Sequence, residues 1–321
     1  VIALSKYLEI LPKVVVCDLH PGYFSTRFAE AFHEKIPGVK LCKVQHHEAH
    51  IASAIAENFV KGDVIGVAFD GTGFGSDGKI WGGEFFTGSP KEFTRAGHLE
   101  YVAIPGGDAA VREPWRMALS YLYRAFGDKA VQLKIISRRG HKKNWPVMKK
   151  MIDEGINSPL TSSAGRLFDG VASLILNKDT AGYEAELPIM LEKLVPQGYE
   201  EHYDFDLKNE EGVLVVRLGR IIESITRDIS TGVDKRLLAG KFHNTVAEIV
   251  IRMVAAIGKK SGLKKVVLSG GVFQNKYLTT KAKLMLEKSG YKVYTHFGIS
   301  TTDAGIPLGQ IAIAQARGIC V

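Results

Sequence analysis

The run DVIGVAFD (63–70) passes straight into GTGFGSDG (71–78), and KIWGGEFF (79–86) follows at once. Two apolar runs of strand length joined by a glycine-rich turn predict a β-hairpin. Further strand-like runs occur at KVVVCD (13–18), KLCKVQ (40–45), KKVVLSG (264–270) and YKVYTH (291–296). Helical patterns separate them. The clearest, from Asn244 to Lys259, repeats Val246, Ile249, Val250, Met253, Val254 and Ile257 at intervals of three and four, a stripe that faces a core. This alternation restricts the chain to an α/β architecture. At 321 residues it exceeds the size at which one core stays single, so two lobes are expected.

The glycines suggest what such lobes could hold. After Asp70, Gly71-Thr72-Gly73 lets backbone amides approach an anion closely, and Thr72 adds a hydroxyl. A plain hairpin turn would use the same residues. A second pair, Gly270-Gly271, ends KKVVLSG and opens through VFQN into a helical stretch, the place where α/β proteins bind nucleotides. There is no Walker A loop and no full G-x-G-x-x-G. Two glycine loops this far apart in sequence suggest two lobes gripping one nucleotide.

VQHHEAH (44–50) nearly matches the zinc-protease signature H-E-x-x-H, but four residues after His47 stands Ile51. His46 and His50 are four apart and share one helix face. They are half of a metal site, which Asp70 and Asp303 (in STTDAGIPLG) could complete. A His2Asp2 set suits Fe(II), Mn(II) or Zn(II). The same residues also fit polar groups at a helix start, with Asp303 as an N-cap.

Other candidates are ambiguous. Asp169, in TSSAGRLFDGVASLI, could accept from ribose hydroxyls or face solvent; Glu184, in AGYEAELPIMLE, is equally open. Arg112 and Arg116 flank Pro114-Trp115 and suit either anion binding or stacking on the tryptophan. No Ser-His-Asp or Cys-His constellation stands out. Hydrophobic residues at 45% and charged residues at 24% describe an ordinary globular protein, and no apolar run approaches the ~20 residues of a membrane span. Cys17, Cys42 and Cys320 are scattered and odd in number, which argues for a reducing compartment. The formal charge is +8, concentrated in KIISRRGHKKNWPVMKK (134–150). That stretch reads as a solvated, partly helical insertion, since only Trp145 interleaves with its charges.

The ordered motifs DLHPGYFSTRFA, VQHHEAHIASA, FDGTGFGSDGKIWGGEFF, PGGDAAVREPWRMAL, TSSAGRLFDGVASLI, GYEAE, LSGGVFQN and STTDAGIPLGQ resemble the C-terminal region of the HypF family, carbamoyltransferases of nickel–iron hydrogenase maturation. That region is similar to TsaD/Kae and TobZ proteins and implies a two-lobed actin-like ATPase (ASKHA) fold. The resemblance implies iron or zinc on His46, His50 and Asp303, joined by Asp70 in the carbamoyltransferase branch. It places nucleotide contacts on Gly71, Thr72, Gly73, Asp169 and Asn275, with Gly270 and Gly271 in the second loop. Glu184 matches loosely, since Ala185 stands where many relatives have glycine; His47 lies outside the metal pattern.

The implied division gives residues 1–60 to the first lobe, with a helix at 304–321 packing back on it. Residues 61–303 form the second lobe, with a basic helical insertion around 130–160. The implied activity is binding of ATP or carbamoyl-adenylate beside one divalent metal, then carbamoyl transfer to the C-terminal cysteine of HypE for the cyanide ligands of the nickel–iron centre. An upstream YrdC-like domain and a cytoplasmic location are implied; a membrane or nucleic acid is not. The alternatives are a TobZ-like O-carbamoyltransferase, a TsaD-like tRNA-modifying enzyme and a non-catalytic HypE-docking fragment. The family's opening strands, with their own phosphate turn, should precede DLHPGYF. Their absence from this chain implies weakened nucleotide binding and no synthesis of carbamoyl-adenylate by it alone.

Overall fold

The computed structural model describes residues 2–319. In chain order the strands are β1 (Val14–Asp18), β2 (Lys40–Val44), β3 (Val64–Phe74), β4 (Ile80–Ser89), β5 (Glu92–Leu99), β6 (Val102–Ala103), β7 (Leu160–Thr161), β8 (Asp206–Glu210), β9 (Val213–Arg217), β10 (Lys265–Ser269) and β11 (Lys292–Tyr294). β1 and β2 form a parallel pair. The others make one sheet in the order β11-β10-β3-β4-β5-β9-β8, with β7 beside β4 and β6 beside β7.

β10 joins β3 in parallel, with Ser269 opposite Ala68. The two glycine loops therefore leave the same sheet edge side by side, although their strands lie far apart in sequence. β3 is closed on both faces: Val64, Ile65, Val67, Ala68 and Phe69 are fully buried, as expected for a central strand covered by helices. Ile65, Val67 and Phe69 belong to the main core with Phe168, Val171, Phe242 and Val246. Val64 and Ala68 pack instead with Ile51, Ala54 and Ile55 of the helix His46–Glu57. Ile51 occupies the space a side chain on Gly66 would need, so this helix lies directly on β3. The helix Ile306–Ala316 covers its far side, where Gly309 sits against the Ala49 carbonyl too closely for any Cβ.

Three expectations change. The glycine turn is shorter than GTGFGSDG suggests, because β3 continues to Phe74 and re-pairs with β4 at Gly73 opposite Trp81. Register is lost only between Phe69 and Gly73. The tight turn is confined to 75–79, where Asp77 Oδ1 accepts from the Lys79 amide and the Trp81 indole. The Asn244 helix really spans Lys235–Ser261, started by Asp234 accepting from Arg236 N and stopped by left-handed Gly262. β5 and β8 escape the apolar pattern because they mix charged residues into partly exposed strands, whereas β9, VLVVR, is a short apolar run with Val215 and Val216 buried.

The basic stretch is tied down more firmly than a solvated insertion would be. Arg139 is ion-paired with Asp179, His141 stacks on Trp115 with centroids 4.6 Å apart, and Trp145 is buried. Lys142, Lys143 and Lys150 remain exposed. Among the described residues no helix is long and apolar enough to cross a membrane. Cys320 lies outside the described residues.

Candidate metal and nucleotide site

β2 ends at Val44, and Gln45 caps the following helix by accepting from Glu48 N at 2.9 Å. Helical spacing then turns His46 and His50 the same way. His46 Nε2 lies 3.4 Å from Asp70 Oδ2 and 3.5 Å from Asp303 Oδ1; His50 Nε2 lies 3.5 and 3.6 Å from the same two atoms. One ligand atom from each of the four residues falls within 4.8 Å of the others. Both Nε2 atoms are buried and lack a hydrogen-bond partner, an arrangement that needs completion. Ligand atoms each ~2.1 Å from a tetrahedral ion stand roughly 3.4 Å apart, so the donor set and its spacing fit a zinc- or iron-like cation.

The electrostatics agree. Burial alone would lower the His46 and His50 pKa values, but the carboxylates around them win and raise both, His46 strongly through Asp18, Asp303 and Asp70. Burial would raise the Asp70 pKa, yet the two imidazoles hold it well below the usual carboxylate range. Asp303 is likewise lowered by His46 and His50. The cluster wants positive charge, which protons or a metal can supply in competition.

Asp18, at the end of β1, places Oδ2 2.8 Å from His46 Nδ1 and accepts from His20 N through Oδ1. A carboxylate at Nδ1 fixes the tautomer that leaves Nε2 free to ligate. His47 points elsewhere: Nδ1 meets Gln45 Nε2 at 3.1 Å and the ring packs near Trp81. Burial and the neighbouring His46 keep it neutral. Asp303 is the exposed member of the four.

Asp70 and Asp303 also line a cavity of about 620 Å³. Gly71, Thr72, Asp169, Glu184, Gly271 and Asn275 reach the same cavity. Gly73 and Gly270 do not, and serve packing instead. A methyl on Gly73 would run into His46 and His47; Gly270 has φ +102° and lies against the Phe69 backbone. Gly271 N donates to Asp70 Oδ1 at 2.9 Å, so that amide orients the aspartate. Asn275 caps the helix Lys276–Lys288 by accepting from Leu278 N, and its Nδ2 lies 2.9 Å from His243 Nε2. Its side chain thus shapes the loop where Asn275 lines the cavity.

Asp169 is buried rather than on the solvent side, in the helix Ala164–Leu176. Burial, aided by Glu184 and opposed by Arg166, raises its pKa to about 6. Ser163 caps this helix, accepting from Arg166 N, and its hydroxyl reaches the Asp70 carbonyl at 2.8 Å. Glu184 stands exposed at the rim beside Ala185, a non-glycine residue at φ +61°. Arg116 sits over Trp115 and pairs with Glu113, as the stacking reading has it, and Arg112 is exposed; neither lines the cavity. Sequence reasoning missed Asp18 and Arg166. Asp18 carries the same signal as Asp70, an aspartate ending a strand.

Sheet order, helix-borne histidines and a strand-end aspartate opening into a cavity define an α/β protein with a candidate metal site beside a ligand-sized cavity, and the Kae1-like domain and HypF structures it matches carry the actin-like (ASKHA) fold. Residues 1–57 match the family described as HypF Kae1-like domain, and residues 66–310 match Carbamoyltransferase, Kae1-like Domain, second subdomain. Carbamoyltransferase HypF of Synechocystis sp. is 36% identical over 98% of this chain and 42% of its own length. The HypF homolog of Cupriavidus necator is 34% identical, over 95% and 78% respectively. The structure of full-length HypF in a phosphate- and nucleotide-bound form superposes with a TM-score of 0.90 at 36% identity, covering 97% of this chain and 48% of that one. T. kodakarensis HypF gives 0.85 at 28%, covering 98% and 42%. The chain belongs to the HypF carbamoyltransferase family, as its Kae1-like domain, and spans less than half the length of the full-size relatives.

Proposed function

We propose that this chain binds ATP or carbamoyl-adenylate in the cavity beside a divalent metal and passes the carbamoyl group to a thiol. The observation that carries this reading is that Asp70 and Asp303 serve two places at once: they converge with His46 and His50, and they line the cavity that Asp169 and the hairpin bulge also reach. The acceptor on this reading is the C-terminal cysteine of HypE, the product feeds the cyanide ligands of the nickel–iron centre, and the reaction is cytoplasmic. An upstream YrdC-like domain of the same protein would supply the adenylate. We further assign residues 1–60 and 304–321 to one lobe and 61–303 to the other, a division supported by the separate β1–β2 pair.

His46, His50, Asp70 and Asp303 would hold one iron or zinc ion, which when bound supplies Lewis-acid polarisation of a phosphate or carbamoyl oxygen. Gly71 and Thr72 present backbone that has left the sheet register, suited to a phosphate. Asp169 accepts from a ribose hydroxyl, and Asn275 with Gly271 holds the second loop in place. In the transfer, the thiolate forms a C–S bond to the carbamoyl carbon, the mixed-anhydride C–O bond breaks, and AMP leaves.

The test incubates the full-length protein with carbamoyl phosphate, ATP and HypE and reads HypE by mass spectrometry. A carbamoyl adduct on the C-terminal cysteine, lost with Asp303→Ala, is expected. An undiminished adduct in that variant would reduce the metal to a structural part, and no adduct in the wild type would reject HypE as acceptor.

A further inference from the structure

We propose that Arg166 reads the phosphate of the bound nucleotide, an inference that rests on the nucleotide reading above. The residue is 4% exposed, yet Nε and Nη1 have no hydrogen-bond partner. Nη2 lies 3.1 Å from Asp169 Oδ2. A guanidinium carries five donors, and burying one with donors unmet is costly unless an anion completes it.

The cavity makes that anion specific. Arg166 is the one Lys or Arg among its described lining residues, whose other charged members are Asp70, Asp169, Glu184, Glu192 and Asp303. A phosphate entering a cavity walled by carboxylates needs compensating charge. A metal held by His46, His50, Asp70 and Asp303 would supply it at one end, and Arg166 stands at the hairpin bulge. A Cβ on Gly71 would lie 3.6 Å from Arg166 Nη2 and 3.7 Å from Glu184 Oε1, so the guanidinium lies beside the backbone on which the phosphate would rest. Asp169 holds part of the planar fork, and the remaining donors suit the paired oxygens of a phosphate.

AMP and adenosine, titrated calorimetrically into the chain, separate this from a merely structural role. Arg166→Gln is expected to weaken AMP by roughly tenfold to a hundredfold, the range for charged hydrogen bonds, while adenosine binds as before. Arg166→Lys restores part of the AMP affinity. Equal loss of both ligands would mean that Arg166 only positions Asp169, and unchanged AMP affinity would remove it from recognition; either result overturns the proposal. If Arg166→Gln does not fold, Arg166→Lys decides alone by the same selectivity. A folded wild type that binds neither ligand rejects the nucleotide reading itself, and the inference with it.

Discussion

Asp18 holds His46 from behind: Oδ2 lies 2.8 Å from Nδ1, with both side chains buried. The contact joins β1 to the start of the histidine helix and fixes which imidazole nitrogen faces Asp70 and Asp303. Removing such a partner commonly costs ~10–100-fold in metal affinity. Asp18→Ala should therefore weaken Zn²⁺ binding by that order in a competitive chelator titration, whereas Asp18→Asn, which keeps a carbonyl acceptor, should lose less. Equal affinities in all three proteins would remove Asp18 from the site.

Glu57 does a comparable job at the other end of that helix. Its carboxylate accepts from Phe297, Gly298 and Ile299 N at 3.3, 2.6 and 2.7 Å, and meets His296 Nδ1 at 2.8 Å. Burial opposes its ionisation, but these partners lower its pKa. The latch ties the His46–Glu57 helix to the loop that carries Asp303 four residues later. Glu57→Ala should weaken metal binding roughly tenfold by freeing Asp303. In an Asp303→Ala background it should weaken it no further, since coupled residues are non-additive. Additive losses would show that Glu57 acts elsewhere.

His243 makes stability fall with acid. It is fully buried, its Nδ1 meets the Ala239 carbonyl and its Nε2 meets Asn275; the rings of Phe168, Phe242 and Tyr277 surround it. Burial lowers its pKa from 6.5 to about 4. The unfolded chain takes up a proton below pH 6.5 while the folded chain does not until about pH 4. The neutral imidazole's contribution is therefore complete above 6.5 and lost as pH falls through that window, by about 3 kcal/mol at most. Urea denaturation at pH 7.5 and 4.5 should show a smaller decline for His243→Gln than for the wild type. Parallel declines would mean that other groups carry the acid sensitivity.

The four metal candidates were legible because local signals carry them: a helical spacing of four and aspartates at element ends. Asp18 has the same strand-end signal, but its partner lies 28 residues away and nothing local announces the pairing. The glycines were legible only by half. A sequence shows that Cβ is missing, not what fills its place. At Gly71 that space is the cavity; at Gly73 it is the ring of His47, and at Gly270 the Phe69 backbone. Ala185 departs from glycine, and its φ of +61° gives the reason that glycine suits the position. The α/β class followed from the buried strands, while β8, exposed over most of its length, left no apolar pattern to find.

Metal content, measured by mass spectrometry on protein loaded anaerobically with Fe²⁺ or with Zn²⁺ and then dialysed, tests the core of this account most directly. One equivalent should remain in the wild type and in His47→Ala, and it should disappear in His46→Ala and Asp70→Ala. A folded wild type that retains no metal, or a His46→Ala protein that keeps a full equivalent, would contradict it.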